Sequence, residues 1–252
     1  MTREATDLAG VRHERFETLG STNAEALVRA RAGERGPLWI SAGTQSGGRG
    51  RRGNFWASPP GNLYATLLLS EPAPPAIAPQ LSFVAALALH DAVLACAPRL
   101  AGVLKLKWPN DLLLAGRKLS GLLIEAESQP RFAVAIGMGV NCISHPPQTA
   151  YPATNLAEHG MAVEPEALLE QLAAAMNRRL TQWRAGSGFA SIRSDWVERA
   201  ANMGQPIVVR LPERQLSGVF QGIDDDGRLL LETGQRTTET IAAGEVFGLG
   251  AS

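Results

Sequence analysis

Gln45-Ser46-Gly47-Gly48-Arg49-Gly50-Arg51-Arg52-Gly53 sets four glycines among three arginines in a stretch with no hydrophobic anchor of its own. Glycine admits φ > 0 and lets a ligand come close to the peptide groups. Arginine supplies a planar fork of donors that matches phosphate or carboxylate and stays charged. A loop of this make-up is costly to order alone and well suited to close over an anion. It lacks the Gly-Lys-Ser/Thr ending of a P-loop, and it does not open a helix as a dinucleotide fingerprint does. Taken alone, the stretch reads equally well as a solvated basic loop, so the rest of the chain decides.

Upstream lies Gly20-Ser21-Thr22-Asn23. Downstream come Lys105-Leu106-Lys107-Trp108-Pro109-Asn110-Asp111, then Gly116-Arg117-Lys118-Leu119-Ser120-Gly121-Leu122-Leu123-Ile124-Glu125, then Gly137-Met138-Gly139-Val140-Asn141. In this order, and over nearly the whole chain, these blocks resemble the biotin protein ligase family. That family more often carries isoleucine at the positions of Met138 and Val140, and alanine is common at that of Ser120. The two apolar swaps keep volume and polarity close.

The resemblance implies activation of biotin by ATP to biotinyl-5′-adenylate, with release of pyrophosphate. The biotinyl group then passes to one lysine of a biotin carboxyl carrier protein or domain. Magnesium is the implied cofactor. The implied fold is α+β: a mixed β-sheet with flanking helices, class II synthetase-like, over residues 1-202, followed by a small SH3-like β-barrel over 203-252. Some family members add an N-terminal DNA-binding domain. With the Ser-Thr-Asn block beginning at Ser21, this chain resembles the single-function type.

Composition agrees with such an enzyme. The 24 basic and 24 acidic side chains cancel, so no overall field draws the chain to nucleic acid or membrane. Cys96 and Cys142 lie far apart without metal-ligand spacing and read as idle thiols in a reducing compartment. His13, His90, His145 and His159 form no zinc pattern. The first residues carry no signal-peptide core, and the apolar stretch Leu81–Cys96 is broken by Ser82, His90 and Asp91. The expected setting is soluble and cytoplasmic. A homodimer formed through a strand edge is compatible with the sequence.

Periodicity predicts strands at His13–Glu17, Leu38–Ala42, Leu63–Leu69, Val103–Lys107, Leu112–Leu114, Lys118–Glu125 and Phe132–Gly137. It predicts helices from Thr22, opened by a Thr22–Glu25 capping box, to about Arg31, and at Leu81–Cys96, Glu166–Trp183 and Phe189–Arg199. Ala115-Gly116-Arg117 should turn a hairpin. From Met203-Gly204 onward, short strands at Ile207–Leu211, Leu216–Ile223, Leu229–Glu232, Thr238–Ile241 and Val246–Leu249 make up the barrel. Asp224-Asp225-Asp226-Gly227 lacks the alternating ligand spacing of a calcium loop and reads as a hairpin turn.

Lys118 is the leading catalytic candidate. Activating a carboxylate needs a fixed cation that holds it beside the α-phosphate and neutralises charge as the pentacovalent phosphorus forms. Gly121 leaves space for a ligand beside it. Lys107 and Asp111 bracket a turn stiffened by Pro109, which can present Asn110 to the nucleotide and Asp111 to magnesium or to the ammonium of Lys118. The resemblance implies that Ser21, Thr22 and Asn23 contact the ureido ring of biotin, although such residues also cap helices. It further implies that Gln45, Gly48, Arg49 and Gly50 complete the biotin pocket. Arg51 would face both biotin and the phosphate of the adenylate as a second catalytic group, and Trp56 and Asn141 would contact the nucleotide. Two rivals are a lipoate-protein ligase or octanoyl transferase, which lacks this glycine-arginine loop, and a non-catalytic nucleotide- or RNA-binding module, which zero net charge disfavours.

Overall fold

Leu38, Ile40 and Ala42 alternate with Trp39 along β3 (Leu38–Gln45), and Ala133 and Ala135 alternate with Val134 and Ile136 along β8 (Ala133–Val140). The two sets belong to two separate buried clusters. Strands that are apolar on both sides belong inside a sheet covered on both faces, and the computed structural model of the chain has that arrangement. It describes residues 3–147, 149, 151–234 and 237–248.

The central sheet has eight strands in the order β1-β2-β3-β4-β8-β7-β6-β5. The remaining members are β1 (Arg3–Leu8), β2 (Val11–Leu19), β4 (Leu63–Ser70), β5 (Leu104–Lys107), β6 (Asp111–Leu114) and β7 (Arg117–Glu127). All neighbours are antiparallel except β2 and β3. The β1 hairpin partner was not legible, because Arg-Glu-Ala-Thr-Asp-Leu offers only two apolar residues. Its pairing lengthens β2 beyond the expected His13–Glu17 at the N-terminal end, and pairing with β3 carries the strand on to Leu19.

Helix α1 (Thr22–Arg31) covers one face through Ala26 and Ala30. On the other face, α2 (Leu81–Cys96) and α3 (Pro165–Trp183) pack against each other and the sheet, and α4 (Phe189–Glu198) leans on both. Leucine and alanine ring α2 on every side, the composition of a helix inside a core. With the preceding turn it makes a 19-residue apolar stretch long enough to cross a membrane, yet most of it is buried in the fold. The cap of α1 is Ser21, which accepts from the Ala24 amide at 3.4 Å, one residue before the expected Thr22. That shift frees the Thr22 side chain for other work.

Residues 206–248 form a second sheet: β9 (Pro206–Arg210), β10 (Gln215–Ile223), β11 (Leu229–Glu232), β12 (Thr238–Ile241) and β13 (Glu245–Gly248), in the order β12-β11-β10-β9-β13. Among the described residues the edge strands β12 and β13 share no ladder, so the sheet stays open rather than closing into the expected SH3-like barrel. Leu249 lies outside the described residues. The expected boundary at 202/203 falls in the turn before β9. Across it, Ile207, Val209, Phe220, Leu229 and Val246 join the same buried cluster as α2 and α3. Asp224 closes the β10–β11 hairpin by accepting from the Asp226 and Arg228 amides at 3.0 and 2.8 Å, as a turn and not a calcium loop would.

Candidate functional site

A cavity of about 410 Å³ opens on the sheet face that carries α1, just beyond the N-terminus of that helix. Its floor is made by Gly121 of β7 and by Gly137 and Gly139 of β8. A Cβ at Gly121 or Gly139 would press on the Trp56 ring, and one at Gly137 would strike the Asn23 carboxamide. The sheet is therefore bare of side chains where the cavity lies.

Lys118 reaches this floor through a register shift. The β6–β7 ladder slips between Leu112 and Leu113, which opposes Lys118 to Leu113 and Ser120 to Leu112. Such a bulge re-aims a side chain, and here it brings Lys118 Nζ alongside Gly121. Asp111, paired across the strands with both Lys107 and Gly121, then holds two ammonium groups: Lys118 Nζ at 2.7 Å from Oδ1 and Lys107 Nζ at 3.0 Å from Oδ2. With Lys107 only 8% and Asp111 only 7% exposed, this is no surface pair. Burial alone would raise the Asp111 carboxyl, but the ammonium groups of Lys118 and Lys107 outweigh it and hold the group below its usual value. Burial lowers the Lys107 ammonium despite the help of Asp111.

The glycine loop closes over the cavity as a small hairpin. The Trp56 amide donates to the Gly48 carbonyl at 3.0 Å, and that of Gly50 to the Asn54 carbonyl at 2.7 Å. Each arginine has its own partner: Arg49 donates to Glu125 at 3.0 Å, Arg51 donates to Asn110 Oδ1 at 3.1 Å, and Arg52 forms an ion pair with Glu245 at 3.6 Å. Burial, together with the neighbouring Arg52, pulls Arg51 below the usual guanidinium range. The carboxamide of Asn110 also donates to the Leu122 carbonyl at 2.6 Å, so the Trp-Pro-Asn turn is tied both to the sheet and to the loop.

Behind the loop runs a polar network. The Thr22 amide donates to Gln45 Oε1 at 2.8 Å, Gln45 Nε2 to Ser58 Oγ at 2.9 Å, and Ser58 to the Trp56 carbonyl at 3.0 Å. Thr66, fully buried on β4, lies 2.8 Å from Thr22 Oγ1 and 2.7 Å from Asn23 Oδ1.

Ser21, Thr22, Asn23, Gln45, Arg49, Gly50, Arg51, Trp56, Lys107, Asn110, Asp111, Lys118, Gly121 and Asn141 all line the one cavity. Gly48 does not. A Cβ there would collide with the Trp56 carbonyl and crowd Ser58, so its place is to let the loop fold back on itself. Asp111 is engaged by both lysines, and no group of three His, Cys, Asp or Glu side chains fit to hold an ion occurs among the described residues. Asn141 lines the cavity but spends its amide on the Thr154 carbonyl at 2.9 Å.

Several wall residues escaped the sequence reading. Lys107 Nζ sits 3.9 Å from the centroid of the Tyr151 ring, which itself lies 6.2 Å from the ring of Phe247. Phe247 and Glu245 come from β13, so the second sheet supplies part of the wall. Rarity was the available signal: both tyrosines of the chain, Tyr64 and Tyr151, line the cavity.

The profile of the Biotin/lipoate A/B protein ligase family matches residues 15–141, which supply most of the cavity lining, and that of the biotin protein ligase C-terminal domain matches 203–248. The chain is 46% identical over 239 residues to a biotin–[acetyl-CoA-carboxylase] ligase of Paracoccus denitrificans, covering 90% of this chain and 96% of that one. It belongs to the biotin protein ligase family. A Mycobacterium tuberculosis ligase of the same name is 35% identical over 241 residues, 91% of this chain and 86% of its own. The fold matches the Aquifex aeolicus biotin protein ligase in complex with biotin and ATP, with a TM-score of 0.79, 23% identity, and 93% of this chain and 97% of that one covered. The Leishmania major biotin protein ligase in complex with biotinyl-5-AMP follows at a TM-score of 0.64 and 23% identity, covering 92% and 98%. Both likenesses are ones of overall fold.

Proposed function

We propose that the chain activates biotin with ATP and transfers it to a lysine of the biotin carboxyl carrier domain of acetyl-CoA carboxylase. The observation that carries this is the Lys118–Asp111–Lys107 cluster in a cavity that Arg51 also lines. A carboxylate oxygen of biotin attacks the α-phosphorus of ATP and pyrophosphate leaves, giving the acyl-adenylate. The carrier amine then attacks the acyl carbon and AMP leaves. Both steps need positioning and charge neutralisation more than a protein nucleophile. Lys118 is the group to hold the biotin carboxylate beside the α-phosphate, with Asp111 fixing the direction of its ammonium. Arg51 faces the phosphate. Thr22, Asn23 and Gln45 serve the ureido end, and Lys107, Asn110, Trp56 and Asn141 the nucleotide side.

Magnesium would accompany ATP. Both Asp111 oxygens being taken by lysines, phosphate oxygens and not a protein site would carry it. This reading assigns catalysis to residues 1-202 with support from 203-252, takes the cytoplasm as the place of work, and leaves room for a dimer. The match at residues 203–248 favours biotin over lipoate. Exchange of labelled pyrophosphate into ATP that depends on biotin, followed by labelling of a carrier domain on one lysine, is the test. Exchange supported by lipoate and not by biotin overturns it.

A further inference from the structure

Glu125 stands on β7 outside the cavity wall, yet two groups that the site needs converge on one of its oxygens. Asn23 Nδ2 donates to Glu125 Oε2 at 2.8 Å, and Arg49 Nη2 donates to the same atom at 3.0 Å. Asn23 belongs to the first turn of α1 and Arg49 to the glycine loop, so this carboxylate joins the two segments that flank the cavity. We propose that Glu125 is a positioning residue for the biotin pocket, holding Asn23 and Arg49 together so that helix and loop present one preset binding surface. The proposal rests on biotin being the ligand.

The hydrogen-bond logic gives the surface a polarity. A carboxylate only accepts, and so does the Leu123 carbonyl that Asn23 Nδ2 also meets at 3.1 Å. The amide nitrogen of Asn23 must therefore face β7, and its oxygen must face Thr66. The single hydroxyl hydrogen of Thr66 then goes to Asn23 Oδ1, 2.7 Å away. Thr22 Oγ1 lies 2.8 Å from the Thr66 hydroxyl and gives its own hydrogen to Gln45 Oε1 at 3.2 Å. Its lone pairs are left for the cavity. That surface accepts hydrogen bonds, which is what the N–H groups of a cyclic urea require.

Glu125→Ala removes both contacts, while Glu125→Gln keeps an acceptor for Asn23 and removes the charge that holds Arg49. In the full-length Glu125→Ala protein, KM for biotin should rise on the order of tenfold, with kcat and KM for ATP within about twofold of wild type. Glu125→Gln should show a smaller rise. In both variants without ligand, trypsin should cut faster after Arg49, because its guanidinium is no longer held. A wild-type KM for biotin and wild-type cleavage in Glu125→Ala overturn the inference. So does a parallel loss of melting temperature, kcat and both KM values, or failure of both variants to fold, either of which would make Glu125 a stability residue only. Should the wild type show no biotin-dependent exchange, the proposed function fails separately, and the ligand-free trypsin comparison still tests the hold on Arg49.

Discussion

The indole N–H of Trp108 donates to the carbonyl of Gly227 at 3.0 Å, across the boundary between the two sheets. Trp108 sits between Lys107 and Asp111, so the turn carrying the two charged residues is held by a hairpin of the second sheet. Gly227 is in the left-handed region at φ 79°, and a Cβ there would drive into the Phe83 ring. Arg193 of α4 fastens the same hairpin by donating to the Ile223 carbonyl at 3.1 Å.

Gly227→Ala should therefore act on both stability and catalysis. A methyl group forced into a packed contact at positive φ costs roughly 1–3 kcal/mol. The displaced turn should also slow adenylate formation by moving Trp108. Urea titration and pyrophosphate exchange measure the two effects. An unchanged midpoint would show that the hairpin yields freely and is not fixed against Phe83.

Lys118→Ala should abolish most adenylate formation while the protein still melts cooperatively, since Asp111 keeps Lys107 as a partner. Loss of one member of a desolvated charge pair costs roughly 2–5 kcal/mol, well over an order of magnitude in rate. Near-normal exchange in a well-folded variant would remove Lys118 from its assigned role.

Asp111→Asn strands the buried ammonium of Lys107 and the half-buried one of Lys118, and should destabilise the fold by roughly 3–5 kcal/mol at neutral pH. The pH dependence has a definite sign. The Asp111 carboxyl is depressed in the folded state, so its contribution is complete above the ordinary value of 3.8 and fades as pH falls through the lower folded value. The stability gap between wild type and variant should be constant between about pH 5 and 8 and narrow below about pH 4. A gap that widens in acid contradicts the assigned ion pair.

Arg51→Gly removes the guanidinium that reaches Asn110 and adds backbone freedom to the loop. Biotinyl-adenylate is a mixed anhydride reactive toward any amine, so a loosened loop should release it. Serum albumin added as a bystander should become biotinylated in proportion to its exposed lysines, whereas wild type labels its carrier alone. If the variant makes adenylate and stays selective, Arg49 and Arg52 become the candidates for retention.

Much of this site was legible because its parts are short blocks of glycine and charged residues with chemical reasons to be there. Helix α2 ran from Leu81 to Cys96 as its composition predicted, and the hairpin at Ala115-Gly116 followed from its turn residues. What could not be read depended on long-range pairing. The β1 strand is polar and owes its existence to β2. The register shift that aims Lys118 at the cavity exists only in the ladder with β6. Tyr151 and Phe247 reach the wall from segments that carry no motif, and the openness of the second sheet is a matter of which edges meet. At Gly48 the composition of the loop gave no sign that the glycine also lets the loop fold back against the Trp56 carbonyl.

Trp56 also gives the protein a built-in optical gauge. Of the five tryptophans, Trp39, Trp108, Trp183 and Trp196 are at most 2% exposed, whereas Trp56 is half-buried and rests against the cavity floor. A molecule entering the cavity changes the surroundings of that indole and leaves the other four where they were. The emission of the unlabelled protein therefore tracks occupancy of a single place, and filling and emptying can be followed in real time without a dye or a coupled assay.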